Sequence, residues 1–135
     1  MPLTDLQTTA AHQSLAAAYD GTQSFPQIIA ALIAAGFESY TVDYRRATTT
    51  YFLPAGEALE LPNPATPGHV APTFDATALQ ANIRKAQTNA PGYTYTGFCA
   101  AAKAAGCAGY MVSFSGKRAL YFGRTAETHT EYFPS

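Results

Sequence analysis

The sequence has no tryptophan, only two cysteines, and few charges, which make up 13% of its 135 residues. Eight Lys and Arg stand against nine Asp and Glu, so the formal net charge at pH 7 is −1. A chain with this balance is neither a broadly basic nucleic-acid binder nor an acidic tail, and we do not expect nucleic acid as a partner. No apolar run reaches the roughly 18 residues of a membrane-spanning helix, so we expect no membrane partner.

The spacing of the cysteines and the absence of common short motifs exclude further functional classes. Cys99 and Cys107 show no CxxC or zinc-type spacing, so we predict two buried, reduced thiols rather than a disulfide, and no metal. Nucleotide-binding, common hydrolase and metalloprotease motifs are absent, and we expect no cofactor. The first residues carry neither a basic region nor an apolar run typical of a secretory signal, which favours a cytoplasmic location.

Two stretches of the sequence resemble each other at an offset of 70 residues. The first is SFPQIIAALIAAGFESYTVDYRRATTTYF, over residues 24–52, and the second is TYTGFCAAAKAAGCAGYMVSFSGKRALYF, over residues 94–122. The ordered matches include Gly36 with Gly106 and Tyr40 with Tyr110. This series indicates an internal duplication, in which each copy forms a similar structural unit.

Each half has the pattern helix–helix–strand–strand–strand. In the first half, Thr4 and Ser24 begin capping boxes that predict two helices, and Gly36 is placed to end the second. The apolar period then changes from 3.6 to 2, which predicts three strands. We therefore predict an α+β fold of two pseudo-repeats, with helices packed on one face of one or two antiparallel sheets.

A proline-rich segment separates the halves. Four prolines occur within residues 62–72, which predicts a stiff, extended connector over residues 62–73. We expect one domain, residues 1–135, built from pseudo-repeats over about 4–61 and 74–133. The pattern does not indicate whether the two sets of strands form one sheet.

The segments SFPQIIAALIAAGFESYTVDYR, TTTYF and YFGRTAETHTEYFP resemble the bacterial and prophage proteins grouped as domain of unknown function family 1398, sometimes labelled phage envelope protein. The resemblance covers roughly residues 10–134. It implies a single small domain. The family has no established activity, catalytic residue or cofactor, and the phage label implies a structural or host-interaction role.

Basic residues concentrate at predicted hairpin turns. Five of the eight fall there, and the first four lie in equivalent turns of the two halves: Arg45, Arg46, Lys117, Arg118 and Arg124. If the turns converge, these side chains form an anion-binding site, with Arg suited to carboxylate or phosphate. The alternative is that they are ordinary charged turns that protect strand edges.

A second candidate site lies in the last predicted strand, residues 127–133. Glu127, His129 and Glu131 alternate there and would lie on one face of the strand. A carboxylate beside an imidazole orients it for general acid–base catalysis. The alternative is a solvated polar face.

Three functions follow from these patterns. The leading hypothesis is a non-enzymatic module that binds an anionic small ligand or a protein partner. The second is a small enzyme that uses the His129–glutamate site, and the third is a phage-derived structural component. A homodimer is compatible with the first two, whereas the third predicts stable higher oligomers.

Overall fold

The computed structural model describes residues 3–66 and 68–133. The first half contains α1 (Asp5–Asp20), α2 (Phe25–Ala34), β1 (Ser39–Asp43), β2 (Thr48–Phe52) and β3 (Ala58–Pro62). The second contains α3 (Ala76–Gln87), α4 (Tyr95–Ala104), β4 (Cys107–Ser113), β5 (Arg118–Gly123) and β6 (Thr128–Tyr132). The α+β prediction is confirmed. None of the helices described is both long and apolar enough to cross a membrane.

Local sequence signals explain where the helices begin and end. The side chains of Thr4 and Ser24 accept hydrogen bonds from the amides of Gln7 and Gln27, and both glutamines complete reciprocal capping boxes. After α2 and α4 the chain turns through Gly36 and Gly106, whose φ angles are 101° and 86°. Glycine adopts this left-handed backbone without the steric cost that a side chain brings.

The strands form one sheet, which the sequence pattern did not indicate. Its order is β3-β2-β1-β4-β5-β6, and every pair is antiparallel. The two meanders therefore join through β1 and β4 at the centre, while β3 and β6 form the edges. The offset of 70 maps the bounds of α2, β2 and β3 onto the described elements of the second half to within one residue. Duplication itself stays a prediction.

The helices lie on one face of the sheet and the core lies beneath them. Alternation along the strands directs Tyr40, Val42, Tyr110 and Val112 to this inner face, where all four are buried. The outer face carries threonines and the exposed side chains Met111 and Leu120. Large tyrosine rings supply burial that the many alanines of the helices do not.

Candidate functional site

A cavity of about 390 Å³ opens where the connector passes the end of the sheet. Two cationic side chains line it, Arg45 from the turn after β1 and Lys103 from the last turn of α4. The aromatic rings of Tyr19 and Tyr44 form part of its wall, and the rest comes mainly from the connector. The further lining residues are Ala47, Asn63, Pro64, Ala65, Thr66, Gly68, His69 and Val70.

Lys103 is the unusual residue of this cavity because its side chain is buried. Only 6% of the residue is exposed. Its ammonium donates hydrogen bonds to the carbonyl oxygens of Thr66 at 2.7 Å and Gly68 at 3.0 Å. No carboxylate pairs with it among residues 3–66 and 68–133. A buried ammonium without a counter-charge is costly, and two carbonyl dipoles offset only part of that cost.

The connector is fixed to α4 by more than the lysine ammonium. The Ala71 amide donates to the Lys103 carbonyl at 2.9 Å, and the Asp75 amide donates to the Ala105 carbonyl at 2.8 Å. The Lys103 carbonyl also accepts a hydrogen bond from the Gly106 amide at 3.0 Å, so the Ala71 bond is its second, whereas Asp75, just after the connector, satisfies a carbonyl beyond the end of the helix. The same contacts that seat the connector therefore place its carbonyls over the ammonium of Lys103.

Arg45 is held at the cavity by a tight turn. The Asp43 carboxylate accepts hydrogen bonds from the backbone amides of Arg45 and Arg46, at 2.9 and 3.1 Å. An aspartate that bonds backbone amides two and three residues ahead stabilises such a turn. The guanidinium of Arg45 stays exposed, whereas that of Arg46 pairs with Glu60 at 3.0 Å.

The tyrosine hydroxyls in the cavity wall and the cysteine thiol behind them are protonated at neutral pH. Burial raises the pKa of the Tyr19 and Tyr44 hydroxyls well above the ordinary tyrosine value. Burial likewise raises the pKa of the Cys99 thiol, which lies behind these rings. None of these groups is ionised, and none of the described lining residues is acidic, so Arg45 and Lys103 give the cavity a positive charge.

The turns that carry the predicted basic residues do not converge. Asp43 at the end of β1 pairs with Gly109 near the start of β4, and Ser113 at the end of β4 pairs with Ser39. The turn with Arg45 and Arg46 and the turn with Lys117 and Arg118 thus follow opposite ends of antiparallel strands. The condition for a single site of all these residues, that the turns converge, is therefore not met.

The five basic residues divide into two groups. Arg124 follows β5 at the Arg45 end of the sheet and donates to the carbonyl of Val70, a lining residue, at 3.3 Å. At the other end, the Arg118 guanidinium lies 4.7 Å from the centre of the Tyr132 ring. Lys117 has a φ of 51° in its turn, matching Ala47 at φ 54°.

Sequence reasoning missed Lys103 altogether. Lysine is rarely buried, so a single lysine in an alanine-rich helix is normally taken as exposed. The offset of 70 places Ile33 at the equivalent position of α2, and there the apolar residue is 52% exposed. Lysine is expected to be exposed and isoleucine to be buried at such a position, but here the connector covers the end of α4 and buries the lysine. The available signal was the lysine at the end of an apolar helix in a chain with a proline-rich connector.

The second candidate site is only partly assembled. The His129 Nε2 lies 2.9 Å from the Glu131 Oε1, and their side chains are 20% and 22% exposed. β6 begins at Thr128, so Glu127 lies in the preceding turn, where its carboxylate accepts a hydrogen bond from the Thr125 hydroxyl at 2.6 Å. Of the three residues predicted to share one face of the strand, only His129 and Glu131 lie in β6 and contact each other.

The His129–Glu131 pair lies on the inner face of the sheet. In the register of β5 and β6, these residues stand opposite Tyr121 and Ala119, which are both buried. The equivalent residues of β3 are Leu59 and Leu61. No three His, Cys, Asp or Glu side chains come together as a metal site within the described parts of the chain.

The family described as "Protein of unknown function (DUF1398)" matches residues 10–131. No curated protein matches the chain. The family description assigns no activity, and the phage-related, bacterial and cytoplasmic expectations stay predictions.

Proposed function

The chain belongs to the DUF1398 family of proteins of unknown function, and we propose that it binds a small anionic molecule in the cavity between Arg45 and Lys103. One observation carries this proposal: among residues 3–66 and 68–133, the buried Lys103 ammonium has two carbonyl partners and lines a cavity to which no carboxylate contributes. An anion bound there would supply the missing counter-charge.

The residues of the cavity favour an anion with an aromatic or apolar body. The rings of Tyr19 and Tyr44 line one part of the wall, and small apolar residues such as Ala47 and Val70 line another. Mostly apolar walls with a few polar groups are typical of small-ligand sites of this volume. Arg45 suits a carboxylate or phosphate group because its planar fork binds two oxygens at once.

Calorimetric titration with three related probes tests the proposal. Phenyl phosphate and benzoate present an anionic group on an aromatic ring, and phenol presents the ring without the charge. We expect saturable binding of an anionic probe and none of phenol. Arg45→Ala should weaken binding on the order of 10- to 100-fold, which corresponds to the loss of a charge-assisted hydrogen bond of about 1.5–3 kcal/mol.

The matched control is Arg84→Ala, which removes an exposed arginine from α3. This variant should bind the probes as the unaltered chain does. Equal weakening by Arg84→Ala and Arg45→Ala would show that only the net charge matters. Absence of saturable binding by both anionic probes would contradict the proposal.

A second candidate function rests on the His129–Glu131 contact of 2.9 Å. A carboxylate that holds an imidazole fixes its orientation, and such a histidine can act as a general base toward a small substrate. Hydrolysis of p-nitrophenyl acetate gives a direct readout. Turnover that is lost in His129→Gln and kept in His12→Gln, a change at an exposed histidine of α1, would support this function. Equal rates in both variants would exclude it for this ester.

A further inference from the structure

The two edges of the sheet differ in how they are protected from other strands. Hydrogen bonds between the Leu53 amide and the Glu57 carbonyl, and between the Asn63 amide and the Ala47 carbonyl, flank the β2–β3 pair. In an antiparallel pair the hydrogen-bonded residues alternate, so the intervening residues of β3 direct their backbone groups outward. These are Ala58, Glu60 and Pro62.

The outward groups of β3 form a poor template for another strand. Pro62 has no N–H to donate. The Glu60 carboxylate carries a charge and is held by Arg46 at 3.0 Å. Proline and charged residues are the common means of protecting an edge strand, and the proline-rich connector continues directly from this edge.

At the β6 edge the charged residue Glu131 faces inward, and the outward positions lack such protection. The Gly123 amide donates to the Glu127 carbonyl and the Phe133 amide donates to the Lys117 carbonyl, so the same alternation turns Thr128, Thr130 and Tyr132 outward. None of these three is charged or a proline. No hydrogen bond from the described residues reaches their outward backbone groups.

We infer that β6 pairs antiparallel with β6 of a second copy of this chain, about a twofold axis at Thr130, and that the two sheets become one. In this register Thr130 faces Thr130 of the second copy, and Thr128 faces Tyr132 of the second copy. Each of these facing pairs exchanges two backbone hydrogen bonds. The interface is self-complementary, as a twofold dimer requires.

Complementary side chains on the inner face, an imidazole and a carboxylate, favour a second copy over an unrelated strand. The same register sets His129 opposite Glu131 of the second copy, and Glu131 opposite His129 of the second copy. Residues that face each other in this position do not share backbone hydrogen bonds, and their side chains lie closest together. Each copy thereby adds a residue to the His129–Glu131 pair of the other.

Sedimentation over a wide concentration range tests the pairing. The unaltered chain should form a dimer. Thr130→Lys should weaken the dimer at least tenfold, because it sets two lysines opposite each other at the axis. Thr50→Lys is the matched control, since it adds the same charge to the same outer face on β2, away from both edges. A dimer that persists in Thr130→Lys would overturn the inference.

Amide hydrogen exchange of the unaltered chain decides the question if Thr130→Lys fails to fold. At high concentration the amides of Thr128, Thr130 and Tyr132 should be protected, whereas those of Ala58 and Glu60 on the other edge exchange quickly. Equally fast exchange at both edges would overturn the inference. So would a chain that stays monomeric at every concentration, which would leave β6 free for a strand of another protein.

Discussion

Thr41 and Met111 face each other across β1 and β4, and they are the residues that the offset of 70 makes equivalent. On either side the register exchanges equivalent positions, since Tyr40 pairs with Val112 and Val42 pairs with Tyr110. The centre of the sheet therefore has the pairing of a twofold relation between the halves. The same relation directs the two turns with Arg45 and Lys117 to opposite ends.

Equivalent glycines give a test of what differs between the halves. Gly36 and Gly106 both have left-handed backbones, but a Cβ at Gly106 would collide with the Thr73 carbonyl of the connector. A Cβ at Gly36 would lie 3.3 Å from the side-chain amide nitrogen of Gln7. Gly36→Ala should lower the free energy of unfolding by about 1–2 kcal/mol, the cost of the left-handed backbone.

Gly106→Ala adds that backbone collision, so we expect a further loss of about 1–3 kcal/mol, as for an overpacked site. Urea denaturation of the two variants measures the difference directly. Equal losses would mean that the connector does not pack on Gly106 in solution.

The elements could be predicted from the sequence because their signals are local. Capping boxes at Thr4 and Ser24 and the change of period before β1 depend on neighbouring residues only. Which strands meet across the sheet depends on contacts between residues far apart in the chain, so neither the single sheet nor the opposed turns could be predicted. Burial of Lys103 has the same origin, since it requires the connector to fold back over α4.

Lys103 should hold the connector in place. Its ammonium bonds the carbonyls of Thr66 and Gly68, and methionine has a similar length but cannot donate hydrogen bonds. In Lys103→Met we expect faster cleavage of the connector by a nonspecific protease such as proteinase K. The control is Lys85→Met on α3, where the lysine is exposed. Equal cleavage rates in the two variants would mean that the ammonium does not restrain the connector.

Buried tyrosines should make the protein sensitive to alkali. Burial raises the pKa of Tyr93 to about 12 and that of Tyr110 well above its ordinary value. An unfolded chain releases these protons near pH 10, whereas the folded chain retains them. Stability is therefore complete below about pH 10 and falls as the pH rises from there, because the folded state binds more protons.

The urea midpoint should accordingly stay level from pH 7 to 9 and decline above pH 10. Tyr93→Phe removes one of the retained protons, so its midpoint should decline less steeply. Identical slopes in the two proteins would show that Tyr93 ionises as freely in the folded chain as in the unfolded chain.

The most direct test of the account observes the Lys103 ammonium itself. In a ¹⁵N-lysine-labelled sample, phenyl phosphate should shift the Lys103 Nζ resonance, and this shift should saturate at the same probe concentration as the change in the ³¹P signal of the probe. In Arg45→Ala, both signals should need a higher probe concentration to reach half-saturation. A Lys103 resonance that stays unchanged while the probe saturates another lysine would contradict the proposed anion site.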